Sequence, residues 1–97
     1  MLSDSVMRRE IVVSLLDGLH LRPASLIARR VMQSGCQVRI ANGEKSADAA
    51  SVLDLIALEA ANGTRLLLES TGTGADEILE AITPYFETDD YTESNGD

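Results

Sequence analysis

Apolar and polar residues alternate at Ile11, Val13 and Leu15, the period of a strand with one buried face, and Asp17-Gly18 ends the run. The period then lengthens. From Pro23 onward, Ala24, Ile27, Ala28 and Val31 fall on one face of a helix that Gly35 terminates, and Arg29 and Arg30 point away from that face. A proline is tolerated in the first helical turn because its missing N–H has no intrahelical acceptor there. Alternation returns at Cys36, Val38 and Ile40, and Asn42-Gly43 is a strong hairpin signal. The return strand, 44–48, is short and polar, as a sheet edge should be.

Ser51 with Asp54 three residues later has the spacing of a capping box and predicts a helix over 52–60, "VLDLIALEA". Asn62-Gly63 turns the chain again. Leu66, Leu68 and Ser70 line one side of a fourth strand. Gly72 and Gly74 then bracket Thr73, a candidate N-cap with Asp76 as box partner, and Ala75, Ile78, Leu79, Ala81 and Ile82 follow at helical spacing. The order is βαββαβα, an α+β pattern. Four short strands and three one-faced helices pack most economically as two layers, every helix on one side of an antiparallel sheet.

At 97 residues the chain predicts one domain. The formal net charge is −8, which argues against general nucleic-acid binding. Five carboxylates (Glu87, Asp89, Asp90, Glu93, Asp97) lie in the last eleven residues, where Lys and Arg are missing. A folded body over 1–86 and an acidic, disordered tail over 87–97 are therefore expected. The single cysteine, Cys36, leaves no intramolecular disulfide or CxxC site and suits a reducing compartment. With no membrane-length apolar run and no secretory leader pattern at "MLSDSVMRRE", a cytoplasmic protein without membrane insertion is expected.

The only histidine, His20, stands in "GLHLRPAS" at the helix entrance. Phosphoryl transfer needs a neutral nucleophile, a way to neutralise the phosphoryl oxygens, and access for a donor. Imidazole offers such a nitrogen near neutral pH. Helix N-terminal N–H groups welcome a phosphate, and Arg22 can add a charge-assisted hydrogen bond. Gly18 permits the sharp turn before the histidine. Other constellations are weaker. Asp17, His20 and Ser25 supply the residue types of a hydrolase triad but crowd one helix entrance with no oxyanion-hole element. One histidine and one cysteine leave no patterned metal site. "STGTG" lacks the Gly-Lys-Ser/Thr ending of a phosphate loop, and Asn62-Gly63-Thr64 is a chance match to the glycosylation pattern.

Gly18-Leu19-His20-Leu21-Arg22-Pro23-Ala24 closely resembles the active-site motif of the HPr family, the histidine-containing phosphocarriers of the bacterial phosphoenolpyruvate:sugar phosphotransferase system. The resemblance runs over roughly residues 8 to 86 and includes the element order, the Asn-Gly hairpin and the serine before the short helix. It implies an open-faced sandwich with strand order 1-4-2-3. It also implies that phosphoenolpyruvate-charged Enzyme I phosphorylates His20 at Nδ1, that Arg22 assists, and that an enzyme IIA domain takes the phosphate. Such a carrier is not an enzyme in its own right and needs no bound cofactor or metal; a monomer is expected. Partners would dock on Leu21, Arg29 and Arg30 and on outward residues of the short helix, Val52, Leu53 and Ile56, whereas Leu55 and Leu58 read equally well as core. Helical spacing does not decide which of these apolar residues face outward.

Ser51 occupies the place where some HPr proteins are phosphorylated by a bifunctional HPr kinase/phosphorylase. It is explained equally by helix capping. Ala50 replaces a commonly basic residue, and Asp54 is an unusual neighbour. A nitrogen-type regulatory phosphocarrier, or a βα binding module whose motif has lost its chemistry, are the alternative readings.

Overall fold

The computed structural model describes residues 6–88. Strand β1 (Val6–Val12) is followed by helix α1 (Leu21–Ser34), strands β2 (Gln37–Asn42) and β3 (Lys45–Asp48), helix α2 (Val52–Ala57), strand β4 (Arg65–Thr71) and helix α3 (Ala75–Ile82), with a closing 3-10 turn at Thr83–Phe86. The strands form one antiparallel sheet in the order β1-β4-β2-β3. In β4, which pairs on both sides, Leu66 faces Ile11 and Leu68 faces Ile40. These side chains turn toward the helical layer and are buried there with Val38, Ile27, Leu79 and Phe86. Burying one such side chain contributes about 1.5–3 kcal/mol. The opposite sheet face carries ion pairs instead, Arg8 with Glu69 at 2.7 Å and Arg65 with Glu10 at 3.7 Å.

The apolar stripe of α1 is buried as the spacing predicts, at Ala24, Ile27, Ala28 and Val31, and Gly35 closes the helix in the left-handed region at φ 76°. The N-terminus lies earlier than Pro23. His20 is the N-cap, with extended backbone, and its carbonyl accepts the Ala24 N–H at 3.1 Å. Pro23 is the third helical residue, where the missing N–H still costs nothing. β1 also begins and ends earlier than the alternation suggests. Val13 and Leu15 remain buried, but past Val12 the chain bonds to a turn rather than a strand: the Val13 N–H donates to the Thr64 carbonyl at 2.8 Å and the Gly63 N–H to the Val13 carbonyl at 2.7 Å.

The predicted second helix is shortened to Val52–Ala57, because Glu59 adopts φ 54°, outside helical geometry. The capping box around it is half formed. Ser51 Oγ accepts the Asp54 N–H at 3.2 Å, but the Asp54 carboxylate accepts from the Asp48 N–H at 3.2 Å, while the Ser51 N–H donates to the Asp48 carbonyl at 2.9 Å. Thr73 is not the cap of α3. Gly74 is, at φ 86° and without a side-chain bond, and the Thr73 carbonyl accepts from the Cys36 thiol at 3.1 Å. The buried Ser70 hydroxyl ties β4 to the start of α3 by donating to the Ala75 carbonyl at 2.6 Å. The expected disorder of the acidic tail concerns residues that, from 89 onward, lie outside the described ones.

Candidate functional site

The segment 14–20 leads from the sheet to α1, and three long-range hydrogen bonds to its backbone fix its course. The Ser14 N–H donates to the Phe86 carbonyl at 2.9 Å, the Asn62 side-chain amide donates to the Leu15 carbonyl at 3.0 Å, and the Leu19 N–H donates to the Ala60 carbonyl at 2.8 Å. Leu15 and Leu19 are buried, so the segment is held by its side chains as well. Between them the chain reverses at Gly18, whose N–H returns to the Leu15 carbonyl at 3.0 Å and whose own carbonyl accepts the His20 N–H at 3.0 Å. Gly18 has φ 72°, and a Cβ there would lie 2.7 Å from the Ala60 oxygen. No residue but glycine fits this turn without moving the chain across from it.

The result is a half-buried His20 at the N-cap of α1 whose imidazole makes no capping bond. An N-cap side chain is normally spent on the first-turn N–H groups; here the ring is not. Those N–H groups and the helix dipole set a positive potential at the same place. Arg22 is the second residue of the helix and is exposed, so its side chain leaves the backbone in the first turn, two residues after the histidine. Asp17 and Ser25, the other members of a conceivable triad, are both exposed, and no oxyanion-hole element accompanies them. No group of three or more His, Cys, Asp or Glu among the described residues is placed to hold a metal ion. No helix among them is long and apolar enough to cross a membrane.

A family model described as the PTS HPr component phosphorylation site matches residues 7–88. The chain belongs to the HPr family. It is 37% identical over 75 residues to the phosphocarrier protein HPr of Streptomyces coelicolor, covering 76% of this chain and 81% of that one. It is equally 37% identical over 76 residues to the phosphocarrier protein NPr of Shewanella violacea, covering 78% of this chain and 84% of that one. Among solved structures, the phosphocarrier protein HPr of Bacillus anthracis superposes with a TM-score of 0.80 at 27% identity, covering 84% of this chain and 98% of that one. The α+β open-faced sandwich with strand order 1-4-2-3 is thus the HPr fold.

Around the HPr motif, the residues expected to meet partners differ in exposure. Leu21, Arg29, Arg30 and Leu53 are exposed, Leu53 at 81%, and Ile56 is exposed at its margin; Val52 is half-buried. Leu55 and Leu58 are fully in the core. α1 and α2 pack against each other, so these side chains belong to one helical layer. Leu16, absent from the sequence reading, is exposed at 79% four residues before His20. The signal for it was the strand-like alternation itself, which turns Leu15 inward and hence Leu16 outward.

Proposed function

We propose that this chain is a phosphotransferase-system carrier that accepts a phosphoryl group on Nδ1 of His20 from phospho-Enzyme I and hands it to an enzyme IIA domain. The observation that carries the reading is the placement of the only histidine at the N-cap of α1, its ring not used for capping, with Arg22 in the first turn. On acceptance a bond from phosphorus to the imidazole nitrogen forms as the bond to the donor breaks; on delivery that P–N bond breaks as the acceptor's bond to phosphorus forms. The helix N-terminus and Arg22 meet the charge on the phosphoryl oxygens, and the exposed apolar residues Leu16, Leu21, Leu53 and Ile56 offer a small transient docking surface. The carrier contributes the reactive side chain and its electrostatic setting; the partners contribute the remainder of the active site.

The experiment is incubation with phosphoenolpyruvate and Enzyme I, followed by intact-mass measurement before and after mild acid. A single acid-labile phosphate is expected on the parent protein and none on His20→Ala. Equal phosphorylation of both proteins overturns the assignment of His20. Relatives named HPr and NPr match equally well, so the acceptor is tested separately. Discharge by a sugar-type enzyme IIA is the expected result, and discharge by a nitrogen-type acceptor alone moves the protein to the regulatory branch.

A further inference from the structure

The chain from Val13 to Leu19 is laid against the turn at 60–64 by four hydrogen bonds. Three run between backbone groups: the Gly63 N–H donates to the Val13 carbonyl at 2.7 Å, the Val13 N–H to the Thr64 carbonyl at 2.8 Å, and the Leu19 N–H to the Ala60 carbonyl at 2.8 Å. The fourth comes from a side chain. The Asn62 amide donates to the Leu15 carbonyl at 3.0 Å, across forty-seven positions of sequence.

An asparagine in a turn ordinarily bonds to its own backbone two residues on. Asn62 is exposed, yet its amide reaches the loop before α1 instead. The carbonyl it meets is already engaged, because the Gly18 N–H closes the 15–18 turn on it at 3.0 Å. The Leu15 oxygen thus accepts twice, its full capacity, once from within the turn and once from outside it. Both ends of this brace are anchored. The Leu15 side chain is fully buried on one side. On the other, Ala60 is buried, the Thr64 N–H returns to the Ala61 carbonyl at 2.9 Å, and the Asn42 amide donates to the Leu58 carbonyl at 2.9 Å.

We propose that Asn62 is a positioning residue for phosphoryl transfer: its amide braces the 15–18 turn and thereby limits how far His20, two residues beyond Gly18, departs from the N-terminus of α1. Asn62 itself touches no reacting atom. The net contribution of one such bond corresponds to about threefold to tenfold in the equilibrium between the closed turn and its opened forms. Transfer depends steeply on geometry, so a loop that opens more often presents the imidazole productively less often. The brace follows from the hydrogen bonds; its consequence for transfer rests on the phosphocarrier reading.

The test compares the parent with Asn62→Ala, with Asn62→Asp, which keeps the shape but offers no N–H, and with Ser34→Ala, which removes a side-chain bond to the Val31 carbonyl at the far end of α1. Amide hydrogen exchange is followed at Gly18, Leu19 and His20 and at Ile40 and Leu68 in the two central strands. Exchange over 18–20 should quicken about threefold to tenfold in both Asn62 variants. Ser34→Ala should quicken the strands and leave 18–20 as in the parent. Acceptance from phospho-Enzyme I is then measured against carrier concentration. The side chains expected to dock are untouched, so the half-saturating concentration should hold while the maximal rate falls about threefold to tenfold in the Asn62 variants and stays unchanged in Ser34→Ala. Exchange over 18–20 that stays at the parent level in the Asn62 variants overturns the proposal. So does a loss of rate that Ser34→Ala shares, or a raised half-saturating concentration at unchanged maximal rate, which would make Asn62 a docking residue. A parent that accepts no phosphate overturns the phosphocarrier reading; a parent that does, matched in maximal rate by both Asn62 variants, overturns this proposal alone.

Discussion

The Leu19 N–H donates to the Ala60 carbonyl at 2.8 Å, and this bond fastens the turn before His20 to the segment that follows α2. Gly18 lies against the same carbonyl, so the histidine inherits its position from a contact between chain segments some forty residues apart.

That contact makes Gly18 the most sensitive position of the loop. In Gly18→Ala the new Cβ meets the Ala60 oxygen at 2.7 Å and the Ala61 Cα at 3.1 Å, both backbone atoms that cannot swing aside, and the left-handed conformation adds its own strain. A loss of about 2–4 kcal/mol is expected, together with slower phosphoryl acceptance as the loop moves. Gly35→Ala is the control: its φ is 76°, but a Cβ there meets nothing within 4 Å, so only the conformational strain of about 1–2 kcal/mol remains. Urea denaturation checks both, and equal losses in the two variants would remove the Ala60 contact from the explanation.

Arg22 is exposed in the first turn of α1 and should matter to transfer more than to folding. Arg22→Ala is expected to slow transfer from phospho-His20 by on the order of tenfold to a thousandfold, the range seen when one electrostatic stabiliser is removed. Arg22→Lys should recover only part of the rate, since an ammonium cannot pair bidentately with phosphoryl oxygens. The melting temperature should change little. Rapid-quench transfer assays measure the first effect and thermal melts the second.

Ser51 caps α2 by accepting the Asp54 N–H, and Ser51→Ala should cost about 1 kcal/mol, as a lost cap does. A phosphate on Ser51 would meet the negative charges of Asp48 and Asp54, both of which bond within this turn. Incubation with ATP and an HPr kinase/phosphorylase decides whether the residue is also regulatory: an acid-stable phosphate that Ser51→Ala lacks would establish it, and its absence would leave Ser51 a cap.

Glu59 accepts a hydrogen bond from Lys45, and that bond, then the charge of the ammonium, hold its carboxyl below the ordinary value of 4.5. A carboxyl depressed in the folded state stabilises above its ordinary value and loses that contribution as pH falls through the folded one. The melting temperature of Lys45→Met should therefore lie slightly below that of the parent above about pH 4.5, with the gap closing toward lower pH. It should also close at high salt, because the pair is exposed. A gap that persists at acid pH would assign it to packing of the lysine stem.

Local pattern was enough for much of this protein. The stripe of Ala24, Ile27, Ala28 and Val31 repeats at helical period and is buried; Val38 and Ile40 alternate and face inward; Asn42-Gly43 turns the hairpin; Ser51 caps its helix. Each rests on a relation between neighbours in the chain, which the sequence by itself determines. The place of His20 at the helix entrance was legible for the same reason, since a lone histidine, an arginine and a helix start lie within four residues. Tertiary structure decided the rest. Six residues of α2 are too few for periodicity to separate the buried Leu55 from the exposed Leu53, and contact with α1 and β3 settles it. The left-handed Glu59, which shortens that helix, carries no glycine to announce it. Phe86, the only phenylalanine, closes the core from a 3-10 turn that no pattern marked, and its carbonyl anchors Ser14 more than seventy residues earlier. Contacts of that range depend on how two layers pack, and alternation or helical spacing within one element holds no record of the partner across the core.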